Sequence, residues 1–287
     1  MQPSDKNNSW TEVITPKANV FNLHLKGVWR YRDLLLLFVK RDLASQFRQT
    51  ILGPLWHLLQ PVFTTIMFLI VFNKIAKIST DELPAILFYM GSITIWNFFA
   101  SCLTSTSTTF TTNAAIFGKI YFPRLVMPLA TIMSNIVKFA IQFGLLIAVI
   151  LFYQFTGQYS FHFGVYNLLL PVIVIVMACM GLGTGIIISS LTTKYRDLTV
   201  LITFGVQLLM YITPVAYPLS YLDKSGYTNF IRWNPLSSLV EGFRYSIFGQ
   251  GTFNINFFMY SILFAGVSLL FGVMLFNKVE RNFMDTV

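Results

Sequence analysis

The sequence predicts an all-α membrane protein. Six transmembrane helices follow an N-terminal amphipathic interfacial helix, with short re-entrant or periplasmic helices before the last span. Three observations carry this prediction. Of 287 residues, 55% are hydrophobic and 11% charged, less than half the roughly 25% that a water-facing surface carries. Mean hydropathy is +0.65, which excludes a disordered chain, poor in apolar residues, and argues against a soluble enzyme. The apolar residues also fall into runs of about 20, the length a helix needs to cross hydrocarbon.

The elements divide into a cytoplasmic N-terminus, residues 1–54, and a transmembrane domain, residues 55–287. The first 27 residues are polar and lack the apolar core of a cleavable signal peptide. Residues 28–48 have helical amphipathicity. At 100° per residue Arg30, Asp33, Lys40, Arg41 and Arg48 share one arc, and Val28, Leu35, Leu36, Val39 and Leu43 lie opposite. Arg32 and Asp42 break the pattern. Such a basic helix is expected to lie along the inner membrane surface, and Gly53-Pro54 marks the break before the first span. The spans are expected near 55–76, 84–106, 125–153, 168–191, 198–217 and 255–276. The third is long enough to tilt. Residues 113–124, between spans two and three, mix apolar and basic side chains more than a plain turn requires, which suits a docking surface. Residues 236–248 are apolar but too short to span, the mark of a re-entrant or interfacial helix.

Charge orients the chain. Lys and Arg number 20 against 11 Asp and Glu, a net of +9. With both termini in the cytoplasm, the inner segments hold fourteen of the basic residues and the outer ones five, with Lys138 inside a span. That asymmetry is the positive-inside pattern. It accounts for the surplus without nucleic acid, which is not expected as a partner; membrane lipids are. Cys102 and Cys179 sit in apolar stretches and read as small hydrophobes.

Chemistry of the chain's own is scarce. There is no G-x-x-x-x-G-K-[S/T] loop to cradle phosphates. His24, His57 and His162 have no metal-ligand spacing, so neither a catalytic nor a metal site is expected. The spans contain no carboxylate, and proton-driven transport relies on intramembrane Asp, Glu or His, of which only His57, near the inner end of span one, is present. Energy is therefore expected from a partner. Polar stripes at helical spacing mark span one (His57, Gln60, Thr64), span two (Thr94, Asn97, Ser101, Ser105, Thr108), span three (Ser134, Lys138, Gln142) and span five (Thr199, Thr203, Gln207). Helix–helix hydrogen bonding explains any single stripe, whereas four together favour some lining a polar pathway. Lys138 is the sharpest case, since a lysine deep in lipid costs several kcal/mol unless it faces a cavity or snorkels. Nine of the twelve residues from Ser101 to Thr112 are Ser or Thr, suited to bonding sugars or a helix's own carbonyls. Gly181, Gly183 and Gly185 allow close helix approach. Trp56 and Trp96 are candidate interface anchors. Phe63, Trp96, Phe99 and Tyr211 are candidates for stacking on sugar rings within a lumen.

Certain motifs resemble a known family. Lys40-Arg41-Asp42-Leu43, then the run from Phe47 to Trp56 (FRQTILGPLW) and Gln60-Pro61, resemble the start of type-2 export permeases of ATP-binding-cassette transporters. Within these the chain is most similar to exporters of lipid-linked O-antigen, capsule or teichoic acid. Residues 113–124 and Asn234-Pro235-Leu236-Ser237-Ser238, with Glu241, Phe243 and Arg244, fit the same pattern, so the resemblance spans nearly the whole chain.

The resemblance implies a homodimer in the bacterial inner membrane, docked to a cytoplasmic ATPase dimer that holds the ATP and magnesium; this chain itself would carry no cofactor. Ile116, Phe117, Lys119, Tyr121 and Arg124 would sit in or beside the coupling helix. Spans one, two and five would line the pore, making His57, Gln60, Phe63, Thr64, Trp96, Asn97, Phe99, Ser101, Lys138, Thr203, Gln207 and Tyr211 candidates. Asn234, Pro235, Glu241 and Arg244 would help gate the exit. The expected function is ATP-driven export of an undecaprenyl-diphosphate-linked polysaccharide, its diphosphate drawn in by Arg30, Arg32, Lys40, Arg41 or Arg48. Teichoic-acid or capsule export, a small-molecule permease, and a membrane glycosyltransferase using Asp223 or Glu241 are the rival expectations.

Overall fold

Hydrocarbon offers no hydrogen bonds, so a spanning backbone must satisfy its own amides and carbonyls. A computed structural model describes residues 25–47, 53–117, 122–160, 164–192, 197–222, 226 and 228–282; among these the structure is helical, with no strand. Two helices open it, α1 (Leu25–Arg30) and α2 (Arg32–Phe47). The first span is α3 (Trp56–Phe68), continued by a wider π-helical segment, Leu69–Ile75. The second is α4 (Ala85–Ser107), and two single turns, α5 (Thr109–Thr112) and α6 (Ala114–Phe117), follow it. Next come α7 (Val126–Phe155), α8 (Leu169–Thr192) and α9 (Leu198–Ile212). Three short helices follow, α10 (Leu219–Leu222), α11 (Thr228–Arg232) and α12 (Pro235–Phe248), before the last span, α13 (Ile255–Asn282).

Five of these helices are long and apolar enough to cross a bilayer: Trp56–Ile75, Ala85–Ser107, Val126–Phe155, Val165–Thr192 and Ile255–Lys278. The fifth expected span is shorter than the sequence pattern suggested. It stops at Ile212 rather than near 217, giving 15 residues. The cause is Pro214, which disfavours helix in the residue before it; Thr213 is accordingly extended, at φ −91° and ψ 142°.

The helix read over 28–48 also needs correcting. It is interrupted at Tyr31, and its packed face holds four of the five expected residues, Val28, Leu35, Val39 and Leu43, but not Leu36. Phe38 and Val39 are buried, with Leu34, Leu35 and Leu43 against them, whereas Leu36 and Leu37 are exposed at 50% and 60%. A helix lying between protein and lipid needs two apolar faces, and the single-arc reading assumed one.

The core is built on α4 and α8. The glycines of α8 set its spacing to both neighbours. A Cβ on Gly181 would meet Cys102 at 2.7 Å, and one on Gly185 would meet Thr106 at 2.6 Å, both on α4. On the other side, a Cβ on Gly183 would lie 2.6 Å from the backbone nitrogen of Leu269 in α13, and one on Gly272 would lie 2.7 Å from the Gly183 carbonyl. Small residues at these points let backbones touch, the device that replaces the hydrophobic effect between helices in lipid. Trp96, a candidate interface anchor, is instead buried in this core beside Phe99, ring centroids 5.8 Å apart.

The short apolar segment before the last span forms α12, as its length suggests. Asn234 caps it, accepting a hydrogen bond from Leu236 N at 3.1 Å, with Pro235 in the first turn. Gly249 ends it at φ +68°, a left-handed conformation that favours glycine. Ser261 of α13 donates to the Pro235 carbonyl at 2.7 Å, tying this helix to the last span.

Gly183→Ala should destabilise the protein by about 1–3 kcal/mol, because a backbone rather than a side chain must yield. Gly266→Ala in α13, with open space around the added carbon, should leave stability unchanged. Thermal unfolding of the two purified variants in detergent checks the contrast.

Candidate functional site

Lys138 stands where two polar clefts meet. The first, about 250 Å³, lies between α3, α4 and α7 and is lined by His57, Gln60, Asn97, Ser101, Asn135, Lys138 and Gln142 with neighbouring residues. The second, about 270 Å³, lies between α2, α4, α5 and α7, and Arg41, Asp42, Ser105, Thr108, Thr109, Thr112 and Ser134 contribute to it. Asn135 and Lys138 line both. Lys138 Nζ donates to Asn135 Oδ1 at 3.1 Å, and Asn135 Nδ2 donates to the Ser101 carbonyl at 3.1 Å. The ammonium is thereby held to the cleft wall rather than led away along the helix. Arg41 Nε and Nη2 donate to Asp42 Oδ1 at 3.0 and 2.8 Å, and Nη2 also reaches Asn113 Oδ1 at 3.2 Å.

Five pore candidates therefore come together: His57, Gln60, Asn97, Ser101 and Lys138. Others do not join them. Phe63, Thr203, Gln207 and Tyr211 face outward from the protomer on α3 and α9. Thr64 and Thr203 donate to carbonyls of their own helices, at Gln60 and Thr199. Trp96 and Phe99 are enclosed in the α4 packing, at 3% and 2% exposure, so within the protomer neither presents a ring to a lumen. Asn135 and Asp42 belong to the site but were not singled out. Asn135 had a signal, being three residues before Lys138 on the same helix face.

The hydroxyl-rich stretch resolves in favour of the helix's own carbonyls. Thr104 donates to Ala100 O at 2.7 Å, Ser107 to Thr104 O at 2.7 Å, Thr109 to Ser105 O at 3.1 Å and Thr111 to Thr108 O at 3.0 Å. Thr104, Thr108 and Thr109 line the clefts at the same time.

Of the interfacial cations, Arg30, Arg32 and Lys40 are exposed, Arg41 is half-buried, and Arg48 lies outside the described residues. Of the coupling candidates, Lys119 and Tyr121 lie outside them too. Ile116 packs against the core and Phe117 is buried. Phe117 stacks on Phe122 at 5.7 Å, Phe122 meets Phe38 of α2 at 5.6 Å, and Phe110 stacks on Phe276 of α13 at 4.7 Å. The Arg124 guanidinium lies 5.9 Å from the Phe117 ring centre. This aromatic cluster joins α2, the α5–α6 turns and the last span in one packed unit.

Of the four exit-gate candidates, Glu241 and Arg244 meet on α12, while Asn234 and Pro235 stand at the start of the same helix. Arg244 is 1% exposed and Glu241 2%. Arg244 Nη2 bonds Glu241 Oε1, Nη1 donates to Ser92 Oγ at 3.2 Å, and the guanidinium lies 4.3 Å from the Phe88 ring centre. Leu219 N donates to Glu241 Oε1 at 3.1 Å. Burial pushes the Glu241 carboxyl up from the ordinary carboxylate range, and Arg244 opposes that push. Asn234 Nδ2 donates to Thr213 Oγ1 at 3.0 Å. Asp81 accepts from Ser220 Oγ at 2.7 Å, so the turn after the first span is latched to α10. Among the described residues there is no cluster of three or more His, Cys, Asp or Glu placed to hold a metal.

Known proteins are similar to this chain over most of its length. The family described as ABC-2 type transporter matches residues 33–248. An O-antigen export system permease protein, RfbA, of Klebsiella pneumoniae is 28% identical over 255 residues, covering 88% of this chain and 94% of that protein. Its counterpart in Myxococcus xanthus is 24% identical, covering 77% and 82%. The polysialic acid transport protein KpsM of Escherichia coli is 23% identical, covering 86% and 93%.

Removing one member of the buried pair strands the other. Arg244→Met should cost about 3–5 kcal/mol, and adding Glu241→Leu should recover much of it. Unfolding midpoints of the single and double variants in detergent measure the difference.

Proposed function

The chain belongs to the ABC-2 type transporter family, and on that premise we propose that it is the membrane subunit of an ATP-driven polysaccharide exporter. The substrate on this reading is an O-antigen-like glycan on undecaprenyl diphosphate, moved across the bacterial inner membrane. The chain acts as a homodimer with both termini in the cytoplasm, and a separate ATPase dimer hydrolyses magnesium-bound ATP. Its relatives, O-antigen and polysialic acid permeases, support the glycan. The observation that carries the reading is the pair of clefts sharing Lys138, which run from Arg41 on the interfacial helix to Gln60 and Asn97 inside the spans.

Each step then has a structural counterpart. Exposed Arg30, Arg32 and Lys40 attract the diphosphate at the inner surface, where charge-assisted hydrogen bonds to phosphate are strong. ATPase motion enters at the α5–α6 turns and passes through the Phe38–Phe122–Phe117 contacts to α2, which forms one wall of the second cleft. Amides and hydroxyls along the clefts exchange hydrogen bonds with sugar hydroxyls. No substrate bond breaks, so the chain is a permease and not an enzyme.

The complex of this chain with its ATPase should co-purify with a lipid-linked glycan identifiable by mass spectrometry. A small molecule in its place would overturn the reading, and a glycerol-phosphate or sialic-acid polymer would redirect it to teichoic acid or capsule. Reversing the exposed charges, Arg32→Glu with Lys40→Glu, should abolish surface glycan while leaving membrane insertion intact. Normal surface glycan in that double variant would sink the proposed diphosphate attraction.

A further inference from the structure

A cation inside a transmembrane helix needs a reason. Lys138 is twelve residues into α7, about 18 Å along the helix from its first residue. An ammonium has three donors. Asn135 takes one, and among the described residues no carboxylate stands within ion-pair distance of the rest. The carboxylate that shares the second cleft, Asp42, is already engaged by two nitrogens of Arg41. The two clefts thus hold Arg41 and Lys138 against Asp42, an excess of one positive charge. Around Lys138 stand amide donors from three helices, Gln60, Asn97 and Gln142. Each cleft has room for about eight waters, enough for a diphosphate.

We propose that Lys138, held by Asn135, is an internal binding station for the lipid-borne diphosphate of the substrate. It receives the phosphoryl oxygens after they leave Arg41 and while the glycan is threaded. The proposal rests on the reading that the cargo is a diphosphate-linked glycan. The site requires a phosphoryl anion within reach of a membrane-embedded isoprenoid tail, so a free anion from the cytoplasm is not its ligand. Lys138 acts by binding, and no covalent step is involved.

The test uses the complex of this chain with its ATPase in nanodiscs, with undecaprenyl diphosphate as the probe and uncharged undecaprenol as its control. Lys138→Gln should weaken diphosphate binding about tenfold, the worth of one charge-assisted hydrogen bond. Lys138→Arg should keep most of the affinity, and undecaprenol should bind all three proteins alike. Unchanged diphosphate affinity in Lys138→Gln overturns the proposal. So does inorganic pyrophosphate binding the wild type as tightly as the lipid does, because the site would then serve a free anion. A measurement on the wild type alone guards against misfolded variants. Undecaprenyl diphosphate should protect Lys138 from an amine-acylating reagent, read by peptide mass spectrometry, and undiminished labelling overturns the assignment. Surface glycan in cells separates the two readings. Export by the wild type together with unaltered diphosphate affinity in Lys138→Gln removes the station and leaves the function. Lack of export by the wild type removes the function, while the binding and labelling results still decide the station.

Discussion

Everything in this fold answers to one constraint: the surrounding hydrocarbon supplies no hydrogen bonds and no solvation for charge. Helices satisfy the backbone, but side-chain hydroxyls and charges must find partners within the protein. The hydroxyls of Ser92, Thr94, Thr104, Ser134, Thr184 and Ser190 each donate to a carbonyl four residues back on their own helix. Packing cannot rely on expulsion of water either, so α8 gains contact by bringing glycine backbones against α4 and α13. Two charged sites among the described residues stand out. Arg244 and Glu241 neutralise each other within the packing of α12, whereas Lys138 opens onto the clefts.

The two charged places differ in kind. Every strong group around Arg244 is already engaged: Glu241, Ser92 and the Phe88 ring on its side, and the Leu219 amide on the far side of the carboxylate. A pair so completely satisfied fixes α12 to α4 and α10 and has little left to offer a ligand. The clefts around Lys138 keep amide groups on three helices facing open volume. Firm packing around Arg244 thus contrasts with open polar volume around Lys138.

Much of this was legible in the sequence because lipid imposes strict local rules. Span lengths, the glycine stripe and the capped short helix before the last span all follow from one-dimensional patterns. So does the placement of each span's polar residues on one face, since they recur at helical spacing. What escaped depends on which neighbour a face meets. Trp96 and Phe99 share a helix with Asn97 but turn toward the core, and composition does not distinguish a ring in a lumen from a ring in a seam. Leu36 was assigned to the single packed face of the interfacial helix, yet it is exposed because that helix has apolar residues on two sides. Asp42 looked like a break in the amphipathic pattern and is in fact the partner of Arg41. The early end of α9 was written in Pro214, a local signal that the length of the apolar run concealed.

The back-bonded threonines have a consequence for what the cleft walls can recognise. A hydroxyl whose hydrogen is committed to a helix carbonyl still has lone pairs, so Thr104 and Thr109 turn toward the clefts as acceptors. An acceptor wall welcomes the hydroxyl hydrogens of any sugar and offers nothing to a phosphate oxygen. Each such contact is weak, unspecific in sequence, and readily exchanged for the next. Such a surface leaves discrimination of charge to the few cations and amides set among the hydroxyls.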